Sequence, residues 1–177
     1  MTGYRVFENA TPDVDPSAWI DQTAVVIGQV SIGAQSSLWP QVVARGDINR
    51  ITIGSRTNIQ DGSILHVSHA GPHNPKGADL VIGDQVTVGH RVILHGCHVG
   101  DLCLIGMGAI VMDNVVVQPE VILGAGTLVP EGKTLESGYL YLGAPARRVR
   151  PLTPGERDYL PYAAEHYASL AERYRSS

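Results

Sequence analysis

One period governs this sequence. Aliphatic residues, often followed by glycine, recur every six positions at Val14, Ile20, Val26, Ile32, Leu38 and Ala44. They resume at Ile53, Ile59 and Leu65, then at Ile82, Val88 and Leu94, and run on from Val99 through Ile105, Val111, Val117, Leu123 and Val129 to Leu135. Ile105-Gly-Met-Gly-Ala-Ile-Val111 matches Leu123-Gly-Ala-Gly-Thr-Leu-Val129 at a shift of 18 residues. Six is neither the 3.6-residue period of a helix nor the two-residue alternation of a plain strand. One short strand and one turn consume about six residues, and three such units close a triangle. The aliphatic residue then points into the prism, and the small residue after it suits the corner. A single coil cannot bury its apolar edge alone, so neighbouring coils must cover it.

The pattern predicts six full coils, 14/20/26, 32/38/44, 53/59/65, 82/88/94, 99/105/111 and 117/123/129. Strands spaced about 4.8 Å apart make such a prism roughly 30 Å tall. The register slips in three places. Ile32 to Ile53 is 21 residues, Ile53 to Ile82 is 29, and Leu94 to Val99 is five. The largest excess falls at Ser68 to Asp79, whose Gly and Pro content marks an exposed loop. After Pro151 the pattern changes. Thr153-Pro154-Gly155-Glu156 offers an N-cap, a proline at the first helical position and a capping-box glutamate. Leu160, Ala163, Ala164, Tyr167, Ala168 and Ala171 then form a helical stripe. The expectation is a β-solenoid over residues 1–152 and a helix packed back on it within 153–177, spanning about 154–173.

Composition narrows the function classes. The 177 residues carry 20 Gly and 11 Pro but only 6% aromatics, which suits many turns and small interior side chains. A formal charge of -4 gives no field for a phosphate backbone, so nucleic acid is not an expected partner. No apolar run reaches bilayer length, and no signal-peptide core precedes Asp15, so no membrane role is expected. Two cysteines, Cys97 and Cys103, make no disulfide framework and read as packed small residues. The cytoplasm, or another reducing compartment, is the expected location.

This periodicity resembles the left-handed parallel β-helix of hexapeptide-repeat proteins over roughly residues 10–150. The resemblance implies the handedness.

The coil register sorts the seven histidines. His66 follows Leu65 and His95 follows Leu94, so the two stack on one edge about one strand spacing apart. Arg45, after Ala44, holds the same place one coil earlier. His90 lies two places after Val88 and belongs to a different corner, with Asp61 beneath it. It is too far from the pair to share a metal within one prism, because Zn–N bonds are about 2.0–2.1 Å. Three prisms around a three-fold axis would bring it to the His66–His95 edge of a neighbour. Three histidines with a vacant fourth position are the ligand set of a catalytic zinc. His69 and His73 read as solvent-exposed loop residues, with proton transfer as the lesser alternative, and His98 and His166 as surface or packing residues.

Arg45-Gly-Asp47, Asn58-Ile-Gln60-Asp61, Leu65-His66-Val67, Val88-Gly89-His90 and Leu94-His95-Gly96-Cys97, in this order and spacing, resemble the γ-class carbonic anhydrases. The resemblance implies a homotrimer that interconverts CO₂ and bicarbonate at a divalent metal, Zn²⁺ with Fe²⁺ or Co²⁺ as alternatives. It implies His66, His90 and His95 as ligands, and Arg45 and Asp47 as an ion pair at the subunit interface. Gln60 and Asp61 would orient the attacking hydroxide. Tyr167 would approach the metal-bound solvent from the C-terminal helix, or else pack. Two positions depart from the most active members. Ile48 stands where they carry a glutamate after the Arg-x-Asp motif, and the 68–79 loop is nearly free of acids. Two other readings stay open. One is an acyltransferase or thioesterase, as in other hexapeptide-repeat trimers, and the other is a trimeric scaffold with a structural metal.

Overall fold

The computed structural model describes residues 4–72 and 74–176. The six-residue period becomes a left-handed parallel β-helix. On its first face Val26, Ala44, Leu65, Leu94, Val111 and Val129 stack in register. The second face stacks Val14, Ile32, Ile53, Ile82, Val99, Val117 and Leu135. The third stacks Ile20, Leu38, Ile59, Val88, Ile105, Leu123 and Tyr141. These side chains converge as one core, fully or almost fully buried except at the open lower end, where Val14 and Ile20 are partly exposed. All six expected coils form. Tyr4–Arg5 pairs onto Val26–Ile27 below them, and Leu135 and Tyr141 begin another turn above, so the solenoid runs to about eight turns. The six-residue rule undercounts because its end turns are incomplete.

Each register slip has a local cause. Gly28 pairs with Gly46 and Val30 with Ile51, so Gln29 alone faces residues 47–50. That bulge carries the three extra residues. Gly46 cannot be larger, because a Cβ there would lie 2.5 Å from the Gln29 carbonyl oxygen. The 68–79 excursion closes on itself through reciprocal backbone bonds between Ser68 and Ala78, both 2.9 Å. The one-residue deficit after Leu94 is absorbed at Gly96, whose φ of +53° a side chain rarely adopts.

The first face also presents an outward row, since neighbours of inward residues point the other way along a strand. Val43, Ile64, Ile93, Ile110 and Leu128 alternate with the buried set. Ile64 is 45% and Ile110 38% exposed. The second face is mixed at the equivalent positions, which hold Asp13, Ser31, Thr52, Val81, His98, Val116 and Thr134.

The helix, Pro154–Arg175, covers the third face. Thr153 and Glu156 form the reciprocal capping box that the sequence signals. Leu160, Ala163, Ala164 and Ala171 are buried against the prism. The helix runs two residues past the expected end because Tyr174 docks on Trp19 and Trp39, with ring centroids 5.1 and 5.3 Å apart.

Candidate metal centre

His66 and His95 are neighbours in a parallel ladder, as their shared place after Leu65 and Leu94 requires. His66 Nδ1 lies 3.0 Å from His95 Nε2. Each ring is gripped from behind by a carboxylate. Asp47 Oδ1 lies 3.2 Å from His66 Nε2, and Asp113 Oδ1 is hydrogen-bonded to His95 Nδ1. Carboxylates accept and do not donate. Each aspartate therefore holds an N–H, and with both rings in the neutral form their remaining nitrogens turn lone pairs toward each other. Such a pair calls for a cation between them. Burial lowers the pKa of His66, opposed by its bond to Asp47 and reinforced by the nearby charges of Arg45 and His95. Two nitrogens on one tetrahedral zinc stand about 3.4 Å apart, close to the separation here. The donor set fits a divalent ion.

The backing carboxylates are themselves fixed. Arg45 Nη1 donates to the other oxygen of Asp47. Burial pushes the Asp47 pKa up, but hydrogen bonds from Arg45 and His66 outweigh it and leave it below the ordinary value. Asp47 is the first residue of the 47–50 bulge. Ser68 Oγ donates to Asp113, and Asn49 Nδ2 donates to the Ser68 carbonyl, so the 68–79 loop closes the chain of bonds.

His90 sits elsewhere. It is exposed at the corner after Val88, with Nδ1 bonded 2.9 Å from Asp61 Oδ2, which leaves Nε2 free. Among the described residues, no three His, Cys, Asp or Glu side chains of one chain gather to hold a metal. His90 is therefore separate from the His66–His95 pair within the chain, as the ladder reading requires.

Three comparisons bear on this geometry. Protein YrdA of Escherichia coli (strain K12) is 48% identical over 170 residues, covering 96% of this chain and 92% of that protein. Gamma carbonic anhydrase 1, mitochondrial, of Arabidopsis thaliana is 43% identical over 170 residues, covering 96% of this chain and 61% of that longer protein. A crystal structure of a hexapeptide transferase family protein from Anaplasma phagocytophilum superposes with a TM-score of 0.89 at 40% identity, covering 97% of both chains. The chain belongs to the γ-class carbonic anhydrase family of hexapeptide-repeat proteins. No protein-family model matches it.

The other residues singled out for this γ-class chain fall as follows. Gln60 is buried and donates from Nε2 to Asn58 Oδ1 at 3.1 Å, and Asn58 in turn donates to Thr87 Oγ1 at 3.0 Å. Tyr167 packs edge-on against Trp39, with centroids 5.6 Å apart. Its phenol pKa is raised by burial, then by Tyr159 and by the charge of Asp61. Ile48 is exposed beside Asp47. His98 bonds to Asp79 at 2.8 Å on the second face. His69 is exposed in the loop, and His73 lies outside the described residues. Cys97 and Cys103 are buried free thiols, and burial pushes both up to about 12, so they are packing residues. The sequence reading missed Asp113. Its signal was its register, because Met112-Asp113 repeats the place of His95-Gly96 one coil on.

Among the described residues, no helix is long and apolar enough to cross a membrane.

Proposed function

We propose that this chain forms a homotrimer that reversibly hydrates CO₂ to bicarbonate at three metal centres. Each centre takes His66 and His95 from one subunit and His90 from the next. Zn²⁺ suits the three imidazoles, and Fe²⁺ or Co²⁺ would also be accepted. The observation that carries the reading is the approach of His66 Nδ1 to His95 Nε2 at 3.0 Å, each ring backed by a carboxylate, Asp47 and Asp113. The His90–Asp61 pair, exposed on another corner, supplies a matching third arm. The aliphatic row through Ile64 and Ile110 is suited to subunit contact, since water gains nothing from it. The relative named as a carbonic anhydrase supports the substrate.

Held by His66 and His95 of one subunit and His90 of the next, a divalent ion would supply Lewis acidity that makes water nucleophilic near neutral pH. Asp47, Asp61 and Asp113 fix the imidazole tautomers and ring angles. Asp61 and Gln60 orient the nucleophile, Gln60 through a side chain immobilised by Asn58. Arg45 holds Asp47 and faces the interface. Tyr167 borders the site from the helix. Proton removal falls to exposed His69 or to buffer, because Ile48 offers no base. Two buried free thiols fit a reducing compartment such as the cytoplasm.

A scaffold with a structural metal is the second reading, favoured by Ile48 at the relay position. Metal analysis of anaerobically purified protein, followed by stopped-flow CO₂ hydration on the same sample, separates the two. Slow, metal-dependent hydration supports the enzyme. A fully metallated trimer with no hydration supports the scaffold.

A further inference from the structure

The two histidine ladders change character at the same level. Read upward, the first runs Arg45, His66, His95, Met112, with Val111 paired to Leu94 and Val129 to Val111, so Pro130 follows. The second runs Asp61, His90, Met107, with Ile105 paired to Val88 and Gly108 N donating to the His90 carbonyl at 2.9 Å. Ala125 stands above Met107, since Leu123 pairs with Ile105. The rung directly below the histidines is charged in both ladders, Arg45 and Asp61, with Ile27 and Pro40 beneath them. The rung directly above is a methionine in both, with Asp113 beside Met112 reaching down to His95. Met107 and Met112 are the only methionines after Met1. Met107 is 57% and Met112 43% exposed, unusual for flexible, apolar side chains.

We infer that Met107 and Met112 form the apolar end of the candidate site, and that this end admits the small uncharged substrate CO₂. The inference rests on the cross-subunit reading above, because only an interface brings one chain's Met107 opposite another's Met112. There the two thioethers sit one strand spacing, about 4.8 Å, above the histidine level. Arg45 and Asp61 sit one or two rungs below the upper histidines. CO₂ has no charge and no dipole, so the thioether side suits it, and methionine adapts to small ligands without a fixed shape. Bicarbonate and protons are served by the charged side. The site is thus graded along the prism axis, and substrate and product prefer opposite ends.

The test uses the Zn²⁺-loaded protein with carbon-13 methyl-labelled methionine, equilibrated under xenon as an inert apolar probe. The Met107 and Met112 methyl resonances, assigned with Met107→Leu and Met112→Leu, should shift with one shared xenon dependence. Met107→Gln/Met112→Gln should keep its Zn²⁺, lose the xenon response and raise KM for CO₂ about tenfold with kcat unchanged. Silent methyls in a protein whose His90→Ala variant loses its metal would overturn the apolar end alone. If His90→Ala retains its metal and the two methyls respond independently, the shared site itself is wrong and this inference falls with it.

Discussion

His66 Nδ1 faces His95 Nε2 across 3.0 Å, with Asp47 behind the first ring and Asp113 behind the second. The four side chains come from three successive coils and one bulge. Their alignment follows from the solenoid, which repeats each position at one strand spacing. With both rings neutral, the arrangement leaves two lone pairs aimed at one point, and removing either carboxylate lets a ring turn or change tautomer.

Asp113→Asn should therefore lower metal affinity by about 10–100-fold. The backbone of the coil should be unaffected, because residue 113 is a partly exposed corner. Competitive chelator titration measures the affinity, and a thermal melt of the metal-free protein checks the fold. An affinity equal to wild type would detach Asp113 from the site.

The repeat made most of the fold legible in the sequence. Val26 to Val129 stack as their six-residue spacing demands, and the helix begins at the capping box of Thr153 and Glu156. His66, His95 and His90 fall on the ladders that their neighbours Leu65, Leu94 and Val88 dictate. The contacts made by bulges and loops were less legible. Asp113 was missed because no short motif contains it and it meets His95 only through coil stacking. The hold of Ser68 on Asp113 depends on how the 68–79 loop folds, which its Gly and Pro residues do not specify. Tyr167 was assigned to the site or to packing. Its ring contacts are with Trp39 and His166, which favours packing.

The helix cap should be acid-sensitive. Two hydrogen bonds from Arg150 and one from the Thr153 backbone hold Glu156 at about 2, below its ordinary 4.5. A depressed carboxyl stabilises the fold fully above its unfolded pKa and loses that contribution as pH falls through the folded one. The stability gap between wild type and Glu156→Gln should be full above about pH 4.5, shrink below it and vanish near pH 2. Urea titrations followed by Trp19 and Trp39 fluorescence read it. A gap independent of pH would contradict the account.

The outward aliphatic row should hold the trimer together. Ile64→Lys/Ile110→Lys should yield a folded monomer, since exposed positions seldom cost a chain more than about 0.5 kcal/mol. Arg45→Ala should weaken assembly without abolishing it. Sedimentation across a concentration series decides both. Trimers at submicromolar protein in the double variant would remove this face from the interface.

Hydration should be slow and should rise with imidazole buffer, which carries the proton that Ile48 cannot. Ile48→Glu should raise the rate at low buffer and flatten the buffer dependence. Stopped-flow traces of the two proteins over one buffer series are sufficient. If both show the same dependence, position 48 has no part in proton transfer.

The cross-subunit centre is tested most directly by mixing two inactive chains. His66→Ala and His90→Ala homotrimers should each bind almost no metal. Trimers refolded from equal amounts of the two should regain about a quarter of wild-type metal, the random-mixing share of interfaces that join an intact His66–His95 edge to an intact His90. Metal restored to that level, with hydration in proportion, is the predicted result. Mixed trimers as empty as the parents, or a His90→Ala homotrimer with full metal, would contradict it.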